Sequence, residues 1–417
     1  MRVLQVIPTL GMGGAERFVA SLVTHLSRWG HAVGVVVQYD ATGSSIEKHL
    51  ASQGIELQFL GKRPGLDARM VPRMARAIGR FRPDVVHSQS SHVLRYAIPA
   101  VFLSARCPIV HTLHNLAEHE SDSPGKIVQH LAFRAGVAPV AIGQAVAESM
   151  RRVYRLEPCR IIANGIPVAE FAHPQEDREA LRAELALPAG APTFISVGRF
   201  MEQKNHTTLL HAFASARIRA AGAHLLLVGD GELRGALEKT AGELGLAGRL
   251  HFLGVRTDVP RLLQAADVFV LSSRWEGNPL SVMEAMAAAR PVVATAVGCV
   301  PELVSDGTGR LVAPGDVAAL ESAMLQLACD LPLARAMGTA AARRALERFD
   351  SSRMARAYEQ LYRDLVSPRG RTELGGARRP SGGDPSQAFT TRSGPIPPRT
   401  ARGATTFRAS TTRRTSR

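Results

Sequence analysis

The stretch from Ser272 to Met286 constrains this chain more than any other, because it joins a buried strand to a helix across a short loop. The apolar run Val268–Leu271 before it predicts the strand, and the methionines and alanines within 283–287 predict the helix. Asn278 is a favoured N-cap residue, and Pro279 suits the first helical position, where a missing N–H costs nothing. The sequence therefore predicts a strand–loop–helix unit whose helix begins at Pro279.

Two glutamates occupy different parts of this unit. Glu276 lies in the loop, where Gly277 lets another molecule approach the backbone. Glu284 follows Pro279 by about five residues, which is roughly 7–8 Å along a helix axis. The free N–H groups of the first helical turn lie between the two carboxylates and, with the helix dipole, favour an anion. This arrangement predicts a site for a sugar, a diphosphate and a ribose; the alternative is an ordinary strand–loop–helix with solvated glutamates.

The spacing Glu276-x7-Glu284, within Glu-Gly-Asn-Pro-Leu-Ser-x-x-Glu-Ala-Met-Ala, resembles the donor-site signature of the retaining glycosyltransferases of family 4. Other segments resemble the same family from about residue 1 to residue 365. The resemblance implies an α/β fold of two Rossmann-like, doubly wound parallel-sheet domains that face a cleft, which is the GT-B fold. It implies that Glu276 acts on the donor sugar, that Glu284 holds the ribose, and that the donor also contacts Gly277, Asn278, Pro279 and Leu280.

Two further segments are predicted to contact the donor diphosphate. Val3–Ile7 predicts a strand, and glycines in the loop after it let backbone N–H groups approach a phosphate. The resemblance favours Gly14 for this contact, with Arg17 nearby; a plain tight turn is the alternative. Arg199 and Lys204 resemble the family's Gly-Arg-x4-Lys clamp. A leaving diphosphate carries at least two negative charges, which Arg can bind in bidentate fashion and Lys as a point charge, although solvated surface cations remain the alternative.

The predicted strand at 109–115 carries His114 near its C-terminal end. Ligands of doubly wound sheets bind beyond the carboxyl ends of the strands, so His114 is predicted to contact a sugar, with a structural role as the alternative. By resemblance, the backbone at Val255 and Arg256 meets the nucleotide base. Gly143 departs from the family, in which serine is common at this point, so a side-chain contact there is in doubt.

Composition and the resemblance together divide the chain into five parts. The predicted limits are an acceptor-side Rossmann-like domain at 1–166, a linker at 167–191, a nucleotide-sugar-binding Rossmann-like domain at 192–349, a helix at 350–366 that crosses back, and a tail at 367–417. The tail consists mostly of Arg, Ser, Thr, Pro and Gly, so it is predicted to be disordered. It carries +9 of the formal net charge of +15, which leaves +6 for the remainder.

Residues 66–81 predict a helix with one arginine face, formed by Arg69, Arg73, Arg76 and Arg80. Such a face suits anionic lipid headgroups and would allow peripheral association with the cytoplasmic side of a membrane; a solvated basic face is the alternative. The sequence shows no signal-peptide pattern and no apolar run near the roughly 20 residues of a membrane span. Its four scattered cysteines fit a reducing compartment. We therefore expect a cytoplasmic protein without a specific nucleic-acid partner.

These features predict a hexosyltransferase that uses a nucleotide-diphospho-sugar and a sugar or lipid-linked hydroxyl acceptor, with retention of configuration, in cell-surface polysaccharide or glycolipid synthesis. The cations at 199 and 204 make a metal unnecessary, and no Asp-x-Asp motif follows a predicted strand, so we expect no metal and no other cofactor. Two alternatives remain open. One is another enzyme of the same fold, such as a sugar-nucleotide epimerase or a disaccharide-phosphate synthase. The other is a non-catalytic nucleotide-sugar-binding or membrane-recruited protein.

Overall fold

The computed structural model describes residues 1–172 and 177–367, and the predicted tail beyond Ser367 lies outside them. The described chain forms two sheets. The strands of the first sheet are β1 (Arg2–Ile7), β2 (Ala32–Val37), β3 (Glu56–Phe59), β4 (Val85–Ser88), β5 (Ile109–Leu113), β6 (Ala138–Ala141) and β7 (Arg160–Ile161). The strands of the second sheet are β8 (Thr193–Val197), β9 (His224–Val228), β10 (Leu250–Gly254), β11 (Val268–Leu271), β12 (Val292–Thr295) and β13 (Gly309–Val312).

Helices alternate with these strands along both halves of the chain. Those of the first half are α1 (Gly14–Arg28), α2 (Ser45–Ser52), α3 (Met70–Phe81), α4 (Ser91–Ser104), α5 (Ala117–Glu120), α6 (Ser123–Arg134) and α7 (Gln144–Tyr154). The second half begins with α8 (Val168–Ala172), α9 (Arg178–Glu184), α10 (His206–Phe213), α11 (Ala216–Ala220), α12 (Arg234–Glu243) and α13 (Val259–Ala265). It ends with α14 (Leu280–Ala287), α15 (Val300–Leu303), α16 (Val317–Cys329), α17 (Leu331–Arg348) and α18 (Ser351–Val366).

Both sheets are parallel and doubly wound. The first has the strand order β3-β2-β1-β4-β5-β6-β7, and the second has the order β10-β9-β8-β11-β12-β13. In each sheet the order reverses beside the first strand of that half, at β1/β4 and at β8/β11, and ligands of such sheets bind beyond the carboxyl ends of the strands near this reversal. The predicted fold class of two Rossmann-like α/β domains is confirmed.

Helices cover both faces of the first sheet, because its strands are apolar on both sides. One face packs against α3, α4, α6 and α7. The other packs against α1 and α18, and Phe18, Tyr358 and Tyr362 are fully buried there. The last helix of the described chain therefore completes the core of the first sheet.

The chain passes between the two sheets at two places that lie side by side. The N–H of Ile166 donates to the carbonyl of Phe349 at 2.8 Å, and the N–H of Ser351 donates to the carbonyl of Ile166 at 2.9 Å. A Cβ at Gly165 would lie 2.7 Å from the Cα of Ser351, so only glycine permits this approach. Beyond this point α8 already packs into the core of the second sheet.

The helix predicted at 66–81 begins later, at Met70. The carboxylate of Asp67 accepts the backbone N–H groups of Arg63 and Arg69 at 3.2 Å, so residues 63–69 form a turn instead. The guanidinium of Arg69 folds back onto Asp67, and that of Arg73 donates to the carbonyl of Leu60 at 2.9 Å. The predicted face of four free arginines is thus wrong in part, because two of the four bind their own chain.

Across the described residues, no one helix has the length and apolar content needed to cross a bilayer. The consecutive helices α16 and α17, bent by 101°, would meet that requirement only as a pair, and only by length and composition.

Candidate active site

A cavity of about 380 Å³ lies where the loops at the carboxyl ends of both sheets face each other. We call it the glutamate cavity, after Glu276 and Glu284. It is lined by eleven of the thirteen predicted site residues: Gly14, Arg17, His114, Arg199, Lys204, Glu276, Gly277, Asn278, Pro279, Leu280 and Glu284. The other two, Val255 and Arg256, line an adjoining cavity of about 650 Å³ that shares Arg17 and Arg199 with the first.

Glu276 is only 4% exposed, and its carboxylate is held by residues of its own half of the chain. The Ser273 hydroxyl donates to Oε1 at 2.6 Å, and the Lys204 ammonium approaches the same oxygen at 2.6 Å. Gln203 Nε2 donates to the other oxygen at 3.4 Å. Glu276, predicted to contact the donor sugar, and Lys204, predicted to contact its diphosphate, therefore form an ion pair with each other. A donor that bound to both groups would have to break this ion pair.

Glu284 is fully buried on α14 beside an arginine from the other half of the chain. Arg17 Nη1 lies 2.7 Å from Oε1 of this carboxylate. Burial raises the pKa of Glu284, and Arg17 opposes that shift. Within the described residues neither carboxylate oxygen accepts a well-aligned hydrogen bond, so the contact is an ion pair with free acceptor positions. Two buried acceptor oxygens beside a cavity fit the two hydroxyls of a ribose. Arg17 was predicted to lie near the diphosphate, and in the structure it pairs with Glu284, the residue predicted to hold the ribose.

Asn278 does not cap the following helix, contrary to the prediction. Its Nδ2 donates to the carbonyl of Ile142 at 2.7 Å, and its own carbonyl accepts from Asn164 Nδ2 at 2.9 Å. Because Ile142 and Asn164 belong to the first half of the chain, Asn278 joins the two halves. Its side chain does not cap α14. The helix begins at Leu280, with Pro279 at the N-cap position, and no side chain among the described residues accepts its first N–H groups. Those groups stay available to an anion.

Gly277 is needed for a reason other than the predicted one. A Cβ at this position would lie 2.2 Å from the carbonyl oxygen of His114, so the glycine lets the two halves of the chain touch. By contrast, a Cβ at Gly14 would meet nothing within 4 Å, which leaves open space beside the start of α1. Gly14 therefore fits the predicted phosphate approach better than Gly277 does.

Arg199 is the most exposed of the predicted cations. Its side chain is 70% exposed, and its nearest carboxylate is that of Glu232 at 3.6 Å, an exposed pair that contributes little. The side chain lines both cavities. Its charge is thus placed where a diphosphate would pass from one cavity into the other.

The base-contact candidates lie at the far side of the adjoining cavity. Val255 is 61% exposed. The Arg256 guanidinium donates twice to the carboxylate of Asp258, at 2.7 and 2.6 Å, so that its side chain is engaged. The predicted contact through the backbone of these two residues is compatible with this arrangement.

His114 is half-buried where β5 ends. Its Nε2 lies 2.8 Å from Oε1 of Gln89, and its ring meets the edge of Phe18 with centroids 5.0 Å apart. Burial lowers the pKa of His114 to about 4, so the imidazole is neutral at pH 7. A neutral imidazole keeps one nitrogen as an acceptor, which suits a sugar hydroxyl.

Sequence reasoning missed the residues that join the two halves around this cavity. The carboxylate of Glu302 accepts the N–H groups of Gln144 and Ala145 at 3.0 Å each and so caps α7 from the opposite half. A Cβ at Gly143 would lie 2.4 Å from the sulfur of Cys299, which accounts for glycine at this position. These pairs are more than 150 residues apart along the chain, so no local spacing could have indicated them.

An aromatic stack joins the two halves of the chain next to Glu276. The rings of Trp275 and His119 lie 4.5 Å apart and 14° from parallel, one from each half of the chain. Trp275 directly precedes Glu276 in sequence, and this adjacency was the one available signal for it.

A metal site would require several ligating side chains in one place. In residues 1–172 and 177–367, no group of three or more His, Cys, Asp or Glu side chains is placed to hold a metal ion. The expectation of a metal-independent reaction stays a prediction.

Comparisons with known proteins agree with this geometry. A family model described as Glycosyltransferase Family 4 matches residues 12–170, and one described as Glycosyl transferases group 1 matches residues 191–330. The N-acetyl-alpha-D-glucosaminyl L-malate synthase of Bacillus anthracis is 28% identical over 315 residues, which are 73% of this chain and 80% of that protein. The lipopolysaccharide core biosynthesis glycosyltransferase LpsD of Rhizobium meliloti is 27% identical over 360 residues, 86% of this chain and 97% of that one.

A solved structure shows the same fold. The crystal structure of Anabaena HepE in complex with UDP and glucose matches with a TM-score of 0.78 at 22% identity, over 88% of this chain and 100% of that one. Two doubly wound sheets with a cavity between their carboxyl ends are the arrangement of the GT-B fold. Since the two family models together span most of the sequence, the chain belongs to glycosyltransferase family 4.

Proposed function

We propose that this glycosyltransferase moves a hexosyl unit from a nucleotide-diphospho-sugar to a hydroxyl acceptor with retention of configuration. The observation that carries the proposal is one cavity with two buried carboxylates on either side of an uncapped helix start. The relatives support it: HepE was crystallised with UDP and glucose, and LpsD acts in lipopolysaccharide core biosynthesis. We accordingly propose a role in cell-surface polysaccharide or glycolipid synthesis.

The donor would lie across both cavities. Its base would meet the backbone at 255–256, its ribose the free oxygens of Glu284, and its diphosphate the first N–H groups of α14 together with Arg199. Pro279 has no N–H, so the amides of Leu280 and Ser281 would contact the phosphate. The sugar would then lie beside Glu276 and His114.

In this proposal the reaction depends on stabilising the leaving group. The bond from C1 of the sugar to the phosphate oxygen breaks as the acceptor oxygen attacks from the same face, and the acceptor proton passes to the leaving phosphate. Negative charge grows on the diphosphate, and Arg199, Lys204 and the first amides of α14, which line the cavity, would stabilise it. Lys204 would move its charge from Glu276 to the phosphate, and the carboxylate left behind would face the oxocarbenium-like sugar.

Two measurements test this function. A panel of nucleotide sugars and free nucleotides is screened for thermal stabilisation of the purified full chain, because any ligand that binds the native state raises its Tm. The donor so identified is then incubated with acceptors, and the anomeric configuration of the product is read by NMR. An inverted product contradicts retention. An epimerised nucleotide sugar, or a phosphorylated disaccharide, favours the alternative enzymes of this fold, and no stabilisation by any nucleotide contradicts the donor site.

A further observation favours an acceptor at a membrane surface. The helices α3, α4 and α6 form most of the layer on one face of the first sheet and together contain no Asp or Glu, while the fourth helix of that face, α7, carries Glu148. They carry six cations: Arg73, Arg76, Arg80, Arg95, Lys126 and Arg134. Four large apolar side chains are exposed on the same layer: Phe102, Leu103, Ile127 and Leu131. Exposed apolar groups among cations suit anionic lipid, and each nearby Lys or Arg contributes about 1 kcal/mol.

We propose on this basis that the enzyme lies at the cytoplasmic face of a membrane and takes a lipid-linked acceptor. Co-sedimentation with anionic and neutral vesicles at physiological salt tests the proposal. The Arg76→Glu/Arg80→Glu variant should lose binding to anionic vesicles, while the matched change Arg335→Glu/Arg343→Glu, exposed on α17, should retain it. A chain truncated after Ser367 separates this layer from the basic tail. If the truncated chain stays in the supernatant while the full chain pellets, the layer is a solvated surface.

A further inference from the structure

His114 is held from behind by a buried hydrogen-bond chain that the reaction scheme does not use. Its Nε2 lies 2.8 Å from Oε1 of Gln89. Gln89 Nε2 in turn donates to Oε1 of Gln5 at 2.7 Å, and Gln5 Nε2 donates to the Tyr362 hydroxyl at 3.4 Å. This series of hydrogen bonds therefore runs from the glutamate cavity, through β1, to helix α18.

The series of hydrogen bonds continues beyond the Tyr362 hydroxyl. The Tyr362 hydroxyl lies 2.6 Å from Nδ1 of His87, and Nε2 of His87 lies 2.8 Å from the Thr112 hydroxyl. That hydroxyl lies 2.9 Å from the hydroxyl of Tyr358, also on α18. We call these seven side chains the His114 relay: His114, Gln89, Gln5, Tyr362, His87, Thr112 and Tyr358. All but His114 are buried, so each polar group needs the next as its partner.

The orientation assigned to the Gln89 amide, with Nε2 toward Gln5 and Oε1 toward His114, places the proton of the His114 ring on Nε2. Oε1 of Gln89 can only accept, so Nε2 of His114 donates to it. A neutral imidazole has a single N–H, which leaves Nδ1 unprotonated. Within the part of the chain that the structure describes, the hydrogen bond of the His114 ring is the one at Nε2, and His114 lines the glutamate cavity. The unprotonated Nδ1 is thus an acceptor available to a ligand.

We propose that Gln89 is a positioning residue that holds His114 as its Nε2–H tautomer, and that Tyr362 supports this contact from α18. His114 then presents Nδ1 to a hydroxyl of the sugar in the glutamate cavity. This last step rests on the proposed function, whereas the tautomer does not. The ring itself is held by the edge of Phe18, so the relay is left to decide which nitrogen carries the proton.

The structure contains a reason to prefer this role over simple packing. Replacing both partners of a buried hydrogen bond by apolar groups of similar shape is close to neutral for stability. A core needs no seven-membered polar chain in order to pack α18 against the sheet, since the neighbouring positions Met354, Ala355 and Leu361 do so with apolar side chains. The relay ends on the one histidine that lines the glutamate cavity, which packing alone would not require.

The tautomer can be measured without knowing the reaction. The full chain is labelled with ¹⁵N-histidine, and long-range ¹H–¹⁵N spectra show which ring nitrogen is protonated; the His114→Gln variant assigns the signals. We expect the wild-type His114 as the Nε2–H tautomer and a mixture of tautomers in Gln89→Leu. The matched control is Gln129→Leu, which removes a buried glutamine that bonds His111 and Tyr154 and should leave the His114 signals unchanged.

Gln89→Leu leaves Gln5 Oε1 without its donor, so that variant could fold poorly. The double variant Gln5→Leu/Gln89→Leu removes both partners and should keep wild-type stability while still releasing His114. Tyr362→Phe removes only the distant support, and a partial shift toward the second tautomer is expected. A wild-type His114 protonated on Nδ1, or tautomers unchanged in both the single and the double leucine variants, would overturn the proposal.

The second test of the proposal measures steady-state kinetics with the donor that the stabilisation screen identifies. Both leucine variants should lower kcat/KM by about tenfold to a hundredfold, the scale seen when a group that orients a functional histidine is removed. Gln129→Leu should leave it within twofold of wild type, apart from any loss of folded protein. If no nucleotide sugar is a substrate, the proposed function fails and the tautomer result still stands. If transfer is observed and the leucine variants match wild type, the positioning role fails.

Discussion

The buried carboxylate of Glu284 makes ribose recognition open to a sharp test. Changing Glu284 to Gln keeps the size of the side chain and removes its charge. A hydroxyl bound by a charged acceptor is stabilised by about 1.5–3 kcal/mol, compared with about 0.5–1.5 kcal/mol for a neutral one. Over the two hydroxyls of one ribose the expected loss is about 2–3 kcal/mol, which raises the Kd of a free nucleotide by roughly 30-fold to 150-fold.

The fold should tolerate this change. Burial raises the pKa of Glu284, so the charged form is costly in the native state and the amide removes that cost. Arg17 would lose its partner, but its side chain is 34% exposed and can be hydrated. A loss of nucleotide affinity without a loss of Tm would therefore report on binding and not on unfolding.

Calorimetric titration of UDP and GDP against the wild type, Glu284→Gln and Glu276→Gln is the assay. Glu276 lies on the sugar side of the cavity with Lys204 and Ser273, so its glutamine variant should bind nucleotide nearly as wild type does and lose turnover instead. Equal losses of nucleotide affinity in both variants would refute the separate roles. Unchanged affinity in Glu284→Gln would remove ribose from that position.

Four further outcomes are expected. Lys204→Ala and Arg199→Ala should each lose about 2–4 kcal/mol of transition-state stabilisation, seen in kcat/KM, and near-wild-type values for both would end the diphosphate assignment. EDTA should leave activity unchanged, and a requirement for Mn²⁺ or Mg²⁺ would place leaving-group stabilisation on a metal. Nucleotide affinity should fall as pH drops through the raised pKa of Glu284, because ribose binding needs the carboxylate, and Glu284→Gln should remove that dependence. Glu302→Ala should lower the free energy of unfolding by about 1 kcal/mol in denaturant titrations, since α7 loses its cap; an unchanged midpoint contradicts the capping role.

The same carboxylate gives stability a definite pH dependence. Because burial raises the pKa of Glu284 above its unfolded value, the native state binds more protons than the unfolded state between those two pKa values. The contribution of this group to the free energy of unfolding therefore falls as pH rises through that window. In Glu284→Gln this part of the pH dependence should be absent.

Local patterns were sufficient for the fold and for most members of the cavity. The apolar run Val268–Leu271 placed β11 at its observed limits, and the carboxyl-end rule for doubly wound sheets placed His114 beside the glutamates. The helix start was wrong for a physical reason: Nδ2 of Asn278 donates to the Ile142 carbonyl, 136 residues away, and this contact holds Oδ1, the atom that would accept as a cap, away from the helix N–H groups. Capping propensity describes the local preference of a residue such as asparagine. At Asn278 a tertiary contact, with Ile142, determined where the side chain lies.

The second feature that the sequence could not predict is which charged side chains pair with each other. Lys204 and Glu276 were each predicted from the ligand that they would hold, and the structure shows them in contact with each other at 2.6 Å. Arg17 and Glu284 are likewise in contact, across the two halves of the chain. A buried charge without a partner is costly, which accounts for both pairs, and the proposed diphosphate and ribose would compete for the same groups. The donor would then exchange these contacts for its own, and the two ion pairs mark the groups that must move for it to bind.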